Sequence, residues 1–182
     1  HPPQYYQDYL DLEKILKKIW PDWRYISTQV THAVKQLYIR NIPKHEPFAG
    51  RSFPNKSGEL MLPTSGPISK LSGEPFTKDG VPWEGILVRN TPGETVKAVG
   101  SGKVVFAADF GNLKNLIILD HGNGYLTLYG NIEKLLVTTG MSVTYRQDIG
   151  ISPTNNENRV NGIYFEIRKY GEPVDPEIWL SH

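Results

Sequence analysis

The residues of this chain best equipped for chemistry gather near its C-terminal end, in Gly162-Ile163-Tyr164-Phe165-Glu166-Ile167-Arg168. The run reads as a strand, and Arg168 follows Tyr164 by four positions, so the two side chains share one face. Glu166 offers a carboxylate for acid–base work. An arginine beside an aromatic residue is a common interface anchor, and a solvated strand-end arginine is the other reading of Arg168. Glu84 is a candidate ion-pair partner for it. His121 is an imidazole with no second ligand at motif spacing, so it is expected to bond to backbone at a strand end rather than hold a metal. The chain has no cysteine, which excludes a disulfide framework, a thiolate zinc knuckle and a cysteine nucleophile together.

The elements that position these residues fall into two segments of different period. Leu12, Ile15, Leu16 and Ile19 recur at helical spacing, with Asp8 as N-cap and Pro21 as stop. Val30, Ala33, Val34, Leu37 and Tyr38 repeat the pattern, which predicts a second helix over residues 27–40. Residues 41–57, with three prolines, read as a linker. Thereafter short β-branched or aromatic runs alternate with glycine turns: residues 96–99, 103–107, 116–119 and 125–129. Asn123-Gly124 is a hairpin signal, because both residues tolerate the positive φ that a tight turn demands. The expected fold is mainly β, a small antiparallel domain over residues 58–182, preceded by two α-helices and linker over residues 1–57.

Composition narrows the function classes. Twenty Lys+Arg against nineteen Asp+Glu leave a net charge of +1, which gives no electrostatic case for nucleic acid or an anionic membrane surface. No apolar run approaches the ~20 residues that span a bilayer. His1-Pro2-Pro3-Gln4 does not open a secretory signal, so either the protein is not exported or this chain is the mature or trimmed part of a longer one.

Five motifs occur in order. They are Gly58-Glu59-Leu60-Met61-Leu62-Pro63-Thr64-Ser65-Gly66, the Gly93 to Val105 hairpin, Leu116 to Tyr129 with its Asp120-His121-Gly122, Gly140 with Val143, and the Gly162 to Arg168 strand. The series closes on Pro176-Glu177-Ile178-Trp179-Leu180. It resembles the LytM-type (lysostaphin-like) zinc peptidase domain over about two thirds of the chain. That family carries His-x-x-x-Asp before the first hairpin and His-x-His-Phe-Glu-x-Arg on the late strand, which supply the three ligands a catalytic zinc needs. Here the first ligand position holds Trp83, the second Leu87 and the third Tyr164. Gly162 replaces the other histidine of that strand, and Asn131 the supporting histidine of Tyr-x-His. By resemblance Glu166 supports the strand rather than catalysing. Two further departures, Leu113-Lys114 for Tyr-Gly and Arg146 for a glycine, are expected to alter the loops around the groove.

This pattern is similar to the non-catalytic EnvC-type murein hydrolase activators. The resemblance implies an exported, periplasmic cell-envelope protein without cofactor or zinc, which binds and activates N-acetylmuramoyl-L-alanine amidases that split septal peptidoglycan. The former groove is the expected partner surface, with Trp83, Glu84, Leu87, Leu113, Asn131, Tyr164 and Arg168 as its residues. Core filling is the competing explanation for Trp83, Leu87 and Tyr164. A peptidoglycan-binding scaffold is the alternative function and a zinc endopeptidase the remote one. The helical segment, whose apolar stripe must be buried against something, is a candidate regulatory cover of the groove.

Overall fold

The two-residue turn Asn123-Gly124 lies in the left-handed region at both positions, φ 52° and 82°, as expected for a tight hairpin. It joins two of the eight-residue strands of a computed structural model that describes residues 60–70, 84–109, 114–154 and 162–181. A Cβ on Gly124 would lie 2.4 Å from the Tyr170 ring, so packing as well as φ holds this position to glycine. The two expected N-terminal helices and the linker lie outside the described residues.

In chain order the strands are β1 (Ile68–Lys70), β2 (Ile86–Val88), β3 (Thr95–Lys97), β4 (Gly102–Asp109), β5 (Asn115–Gly122) and β6 (Tyr125–Ile132). They continue with β7 (Lys134–Leu135), β8 (Ser142–Val143), β9 (Asp148–Ile151), β10 (Ile163–Lys169) and β11 (Glu172–Val174), before helix α1 (Pro176–Trp179). The large sheet runs β1-β2-β10-β6-β5-β4-β8, with β11 on the far end of β10, and a second sheet runs β3-β9-β7. Every strand pair is antiparallel, so the mainly β antiparallel fold expected from the turn spacing is the fold observed.

Alternation along β10 assigns its two faces. Ile163, Phe165 and Ile167 point into the core with Ile86, Val88, Tyr129, Ile117 and Val104, and Val96 and Ile149 of the small sheet belong to the same cluster. Tyr164, Glu166 and Arg168 point to the other face, opposite Gly130, Leu128 and Leu126 of β6. That second face is buried too: Leu87, Phe106, Leu116, Ile118, Leu126 and Leu128 are all at most 5% exposed. The unbroken apolar run Leu116-Ile117-Ile118-Leu119 fits a strand covered on both sides.

The helix follows its local sequence. Asp175 accepts from Glu177 N at 3.0 Å, and Pro176 occupies a first-turn position that needs no N–H. It delivers Leu180 to a parallel bridge with Leu60, where Leu60 N donates to Trp179 O at 2.8 Å and Ser181 N to Leu60 O at 2.7 Å. The first and last described segments are thereby tied together.

Candidate functional site

Strand register gathers the expected site residues on the second face. Leu87 pairs with Tyr164 across β2 and β10, and Tyr164 pairs with Gly130 across β10 and β6. The Tyr164 hydroxyl donates to Glu166 Oε2 at 2.8 Å. Arg168 donates to Glu166 Oε1 from Nε at 2.8 Å and from Nη2 at 2.7 Å, and from Nη1 to Gly171 O at 3.1 Å. Three alternate residues of one strand thus form a closed row, Tyr164–Glu166–Arg168, in which both carboxylate oxygens are used.

Burial shapes the electrostatics of this row. The Glu166 carboxyl is pushed above its ordinary range by desolvation, against the pull of the Arg168 guanidinium. Desolvation, reinforced by the Glu166 charge, raises the Tyr164 phenol well above the ordinary tyrosine value. Glu84, half-buried, adds negative potential at both groups.

Arg168 is 1% exposed, which overturns the solvated strand-end reading, and its carboxylate partner is Glu166 rather than Glu84. Asn131 and Tyr164, expected on an open groove, are buried as well. In each case the polar head is satisfied within the fold. Leu87 is 5% exposed. Trp83 and Leu113 lie outside the described residues.

Gly162 explains why a histidine has no room on this backbone. Its φ is +141°, and a Cβ there would lie 2.4 Å from Val88 O and 3.0 Å from the Val88 carbonyl carbon. β2 has closed against the strand where a side chain would stand. Asn131, itself left-handed at φ 65°, donates from its side-chain amide to Gly162 O at 2.8 Å. The two positions that carry histidines in the resembled pattern are bonded to each other.

His121 behaves as expected from its isolation, with one ring nitrogen on backbone. Nδ1 lies 2.8 Å from Ser101 O and Nε2 2.6 Å from Thr127 Oγ1. Burial pulls its pKa down to about 4, with the Ser101 contact opposing, so the ring is neutral at pH 7. A neutral ring carries its proton on Nδ1, where it donates to the carbonyl, and Nε2 lies against the Thr127 hydroxyl inside the fold.

Among the described residues, the resembled ligand positions offer zinc no set of side-chain donors. Leu87 has no donor atom, the Tyr164 hydroxyl is committed to Glu166, and Gly162 contributes only backbone. Among the described residues no three of His, Cys, Asp and Glu converge.

The departures at Lys114 and Arg146 change side chains rather than the turn. Both residues are left-handed, φ 54° and 68°, the region glycine favours. The Lys114 ammonium pairs with Glu133, and Arg146 Nη1 donates to Leu62 O at 2.9 Å. Sequence reasoning expected altered loops here because Leu113-Lys114 and Arg146 stand where the resembled pattern has Tyr-Gly and a glycine. It did not single out the contact each long side chain makes.

Comparisons with known proteins place this geometry. The profile of Peptidase family M23 matches residues 81–176, more than half of the chain. Murein hydrolase activator EnvC of Escherichia coli is 30% identical over 124 residues, 68% of this chain and 29% of that protein. Peptidoglycan DD-endopeptidase ShyA of Vibrio cholerae is 34% identical over 103 residues, 56% of this chain and 24% of that protein. The chain therefore spans less than a third of the length of either relative. A crystal structure of an M23 peptidase from Pseudomonas aeruginosa superposes with a TM-score of 0.62 at 20% identity, over 88% of this chain and 63% of that one, a likeness of fold.

Proposed function

We infer the function from one premise: this chain belongs to peptidase family M23. The family holds both an activator and an endopeptidase among the relatives, so membership does not choose between them. The side chains do. The observation that carries the choice is the second face of β10, where the ligand positions are taken by Leu87 and by a Tyr164 hydrogen-bonded into the fold, beside a Gly162 with no room for a side chain. We therefore read the chain as a non-catalytic module of the cell envelope that activates a cell-wall amidase. Its mechanism is differential affinity: the groove binds the amidase's active state better than its inactive one and shifts that equilibrium.

Dye release from purified peptidoglycan, with and without an N-acetylmuramoyl-L-alanine amidase, tests this reading. Release only with the amidase, above the amidase alone, is the expected result. Release by this chain alone would establish an enzyme, and co-sedimentation with peptidoglycan without added release would favour a scaffold.

In this reading Leu87 and the half-buried Glu84 stand at the partner groove with Trp83 and Leu113 as further contacts, and the buried Asn131, Tyr164 and Arg168 support the strands beneath it. Glu84→Lys and Leu87→Asp are each expected to weaken amidase binding by more than about 1 kcal/mol, the scale of a central contact. Titration calorimetry measures the loss, with circular dichroism to check that the variants fold. Folded variants with unchanged affinity would move the interface elsewhere.

The N-terminal segment adds a second expectation. As a cover of the groove it would lower apparent affinity by the fraction of molecules in the open state. A chain beginning at Gly58 is then expected to stay folded and to activate the amidase at lower concentration than the full chain. Unfolding of that shortened chain would make the segment part of the core instead.

A further inference from the structure

Away from β10, a pocket of about 360 Å³ lies between the 61–65 segment, β3, the turn before β9 and Ser181. None of its lining residues belongs to the groove face, so it is a second concavity with its own chemistry. Its volume falls in the range of small-molecule sites.

Three charges line it: Lys97 pairs with Asp148, which is outside the lining, while Arg146 and Glu94 make no ion pair among the described residues. Arg146 is half-buried, and its one side-chain hydrogen bond among the described residues runs from Nη1 to Leu62 O at 2.9 Å. Nε and Nη2 keep their donors, the planar pair that matches a carboxylate bidentately. Its backbone is held at φ 68°, a conformation costly for a residue with a side chain, while its N–H donates to Ala98 O at 2.9 Å. The turn thus fixes the guanidinium against the pocket.

Glu94 lines the same pocket and is anchored from behind. Its Oε1 accepts from Thr91 N at 2.6 Å and from Ser65 Oγ at 2.7 Å, whereas Oε2 shares only the longer 3.2 Å contact from Ser65 N. No cation among the described residues pairs with it, because the nearby Lys97 is bonded to Asp148. A simple anion drawn to Arg146 would be repelled by Glu94, and a simple cation the reverse. One ligand that satisfies both groups carries a carboxylate and an ammonium on one small frame.

We propose that this pocket binds a zwitterionic amino acid or short peptide, its carboxylate on Arg146 Nε and Nη2 and its ammonium on Glu94 Oε2. Ser65 and Thr95 supply further hydroxyls at the wall, and Met61, 48% exposed, an apolar flank. The proposal is independent of the amidase reading, since it uses a different surface.

The test titrates alanyl-alanine, N-acetyl-alanyl-alanine and alanyl-alaninamide into the ¹⁵N-labelled full chain, followed by amide chemical shifts. The free dipeptide is expected to produce saturable shifts at residues 62–65, 94–97 and 144–147, with each blocked form at least ten-fold weaker. Arg146→Gly, which suits the left-handed backbone, is expected to abolish the response and keep the remaining spectrum. Equal binding of the blocked peptides, shifts confined to other residues, no saturation, or an unchanged response in a folded R146G would each overturn the proposal. The peptide series needs no variant and decides the matter by itself.

Discussion

Replacing Arg168 with alanine is expected to destabilise the fold by about 3–5 kcal/mol, the usual cost of stripping one partner from a buried ion pair. Arg168 and Glu166 are 1% and 0% exposed, so water cannot take over for the missing guanidinium. Three donors would be lost at once: two to Glu166 Oε1 and one to Gly171 O. What remains is a desolvated carboxylate with the Tyr164 hydroxyl as its side-chain donor in this row. Urea denaturation of the variant beside the parent chain measures the loss, and a change below about 1 kcal/mol would show that the pair is not desolvated in solution.

The same row makes a signed prediction with pH. Burial already raises the Glu166 carboxyl above its ordinary value, and without Arg168 only the Tyr164 hydrogen bond is left to oppose that shift. A carboxyl whose folded pKa exceeds its unfolded pKa favours folding at low pH and loses that advantage as pH rises through the window between the two. The R168A deficit is therefore expected to shrink as pH falls toward and below the ordinary carboxylate range. The triple variant Tyr164→Phe, Glu166→Leu, Arg168→Met removes charges and donors together. It should recover most of the stability, since well-packed apolar groups of similar volume replace such networks at little cost.

That row also marks where the sequence stopped being legible. Strand spacing was enough to place Tyr164 and Arg168 on one face, and the Asn123-Gly124 turn was enough to set the β5–β6 hairpin. Naming Glu84 as a candidate partner for the arginine passed over Glu166, which two positions along the strand lies on the same face. Placing Asn131 and Tyr164 on an open surface followed from carrying over the open groove of the resembled family, although Leu126, Leu128, Leu116 and Ile118 on the same face already formed apolar positions. The small sheet was harder still. β7 has two residues and β9 four, too short for a period, and their pairing depends on contacts distant in sequence. The closing of β2 against Gly162 has no sequence signal beyond the glycine itself, because it is a property of two strands and their separation.

Acidification from pH 7 to 4 is expected to cost the chain stability through His121, a residue of the core rather than of the groove. The ring is 3% exposed and held between Ser101 O and Thr127 Oγ1 in a geometry that suits one N–H and one lone pair. Protonation would turn Nε2 into a donor facing a hydroxyl whose oxygen is also 2.8 Å from Tyr129 OH, and would bury a positive charge. The folded pKa of about 4 lies below the ordinary histidine value of 6.5, so the unfolded chain binds the extra proton first as pH falls. Stability from this group is complete above the unfolded pKa and is lost as pH drops through the interval between the two values. At about 1.36 kcal/mol per unit, the loss is on the order of 3 kcal/mol. His121→Gln should lower stability at pH 7 but flatten the acid limb by that amount. Comparing the two chains at each pH cancels the opposite-signed contribution of Glu166, which lies outside the His121 network. An acid limb equally steep in the variant would mean that His121 titrates as it does in the unfolded chain, and that the Ser101–His121–Thr127 chain is not the closed unit its distances describe.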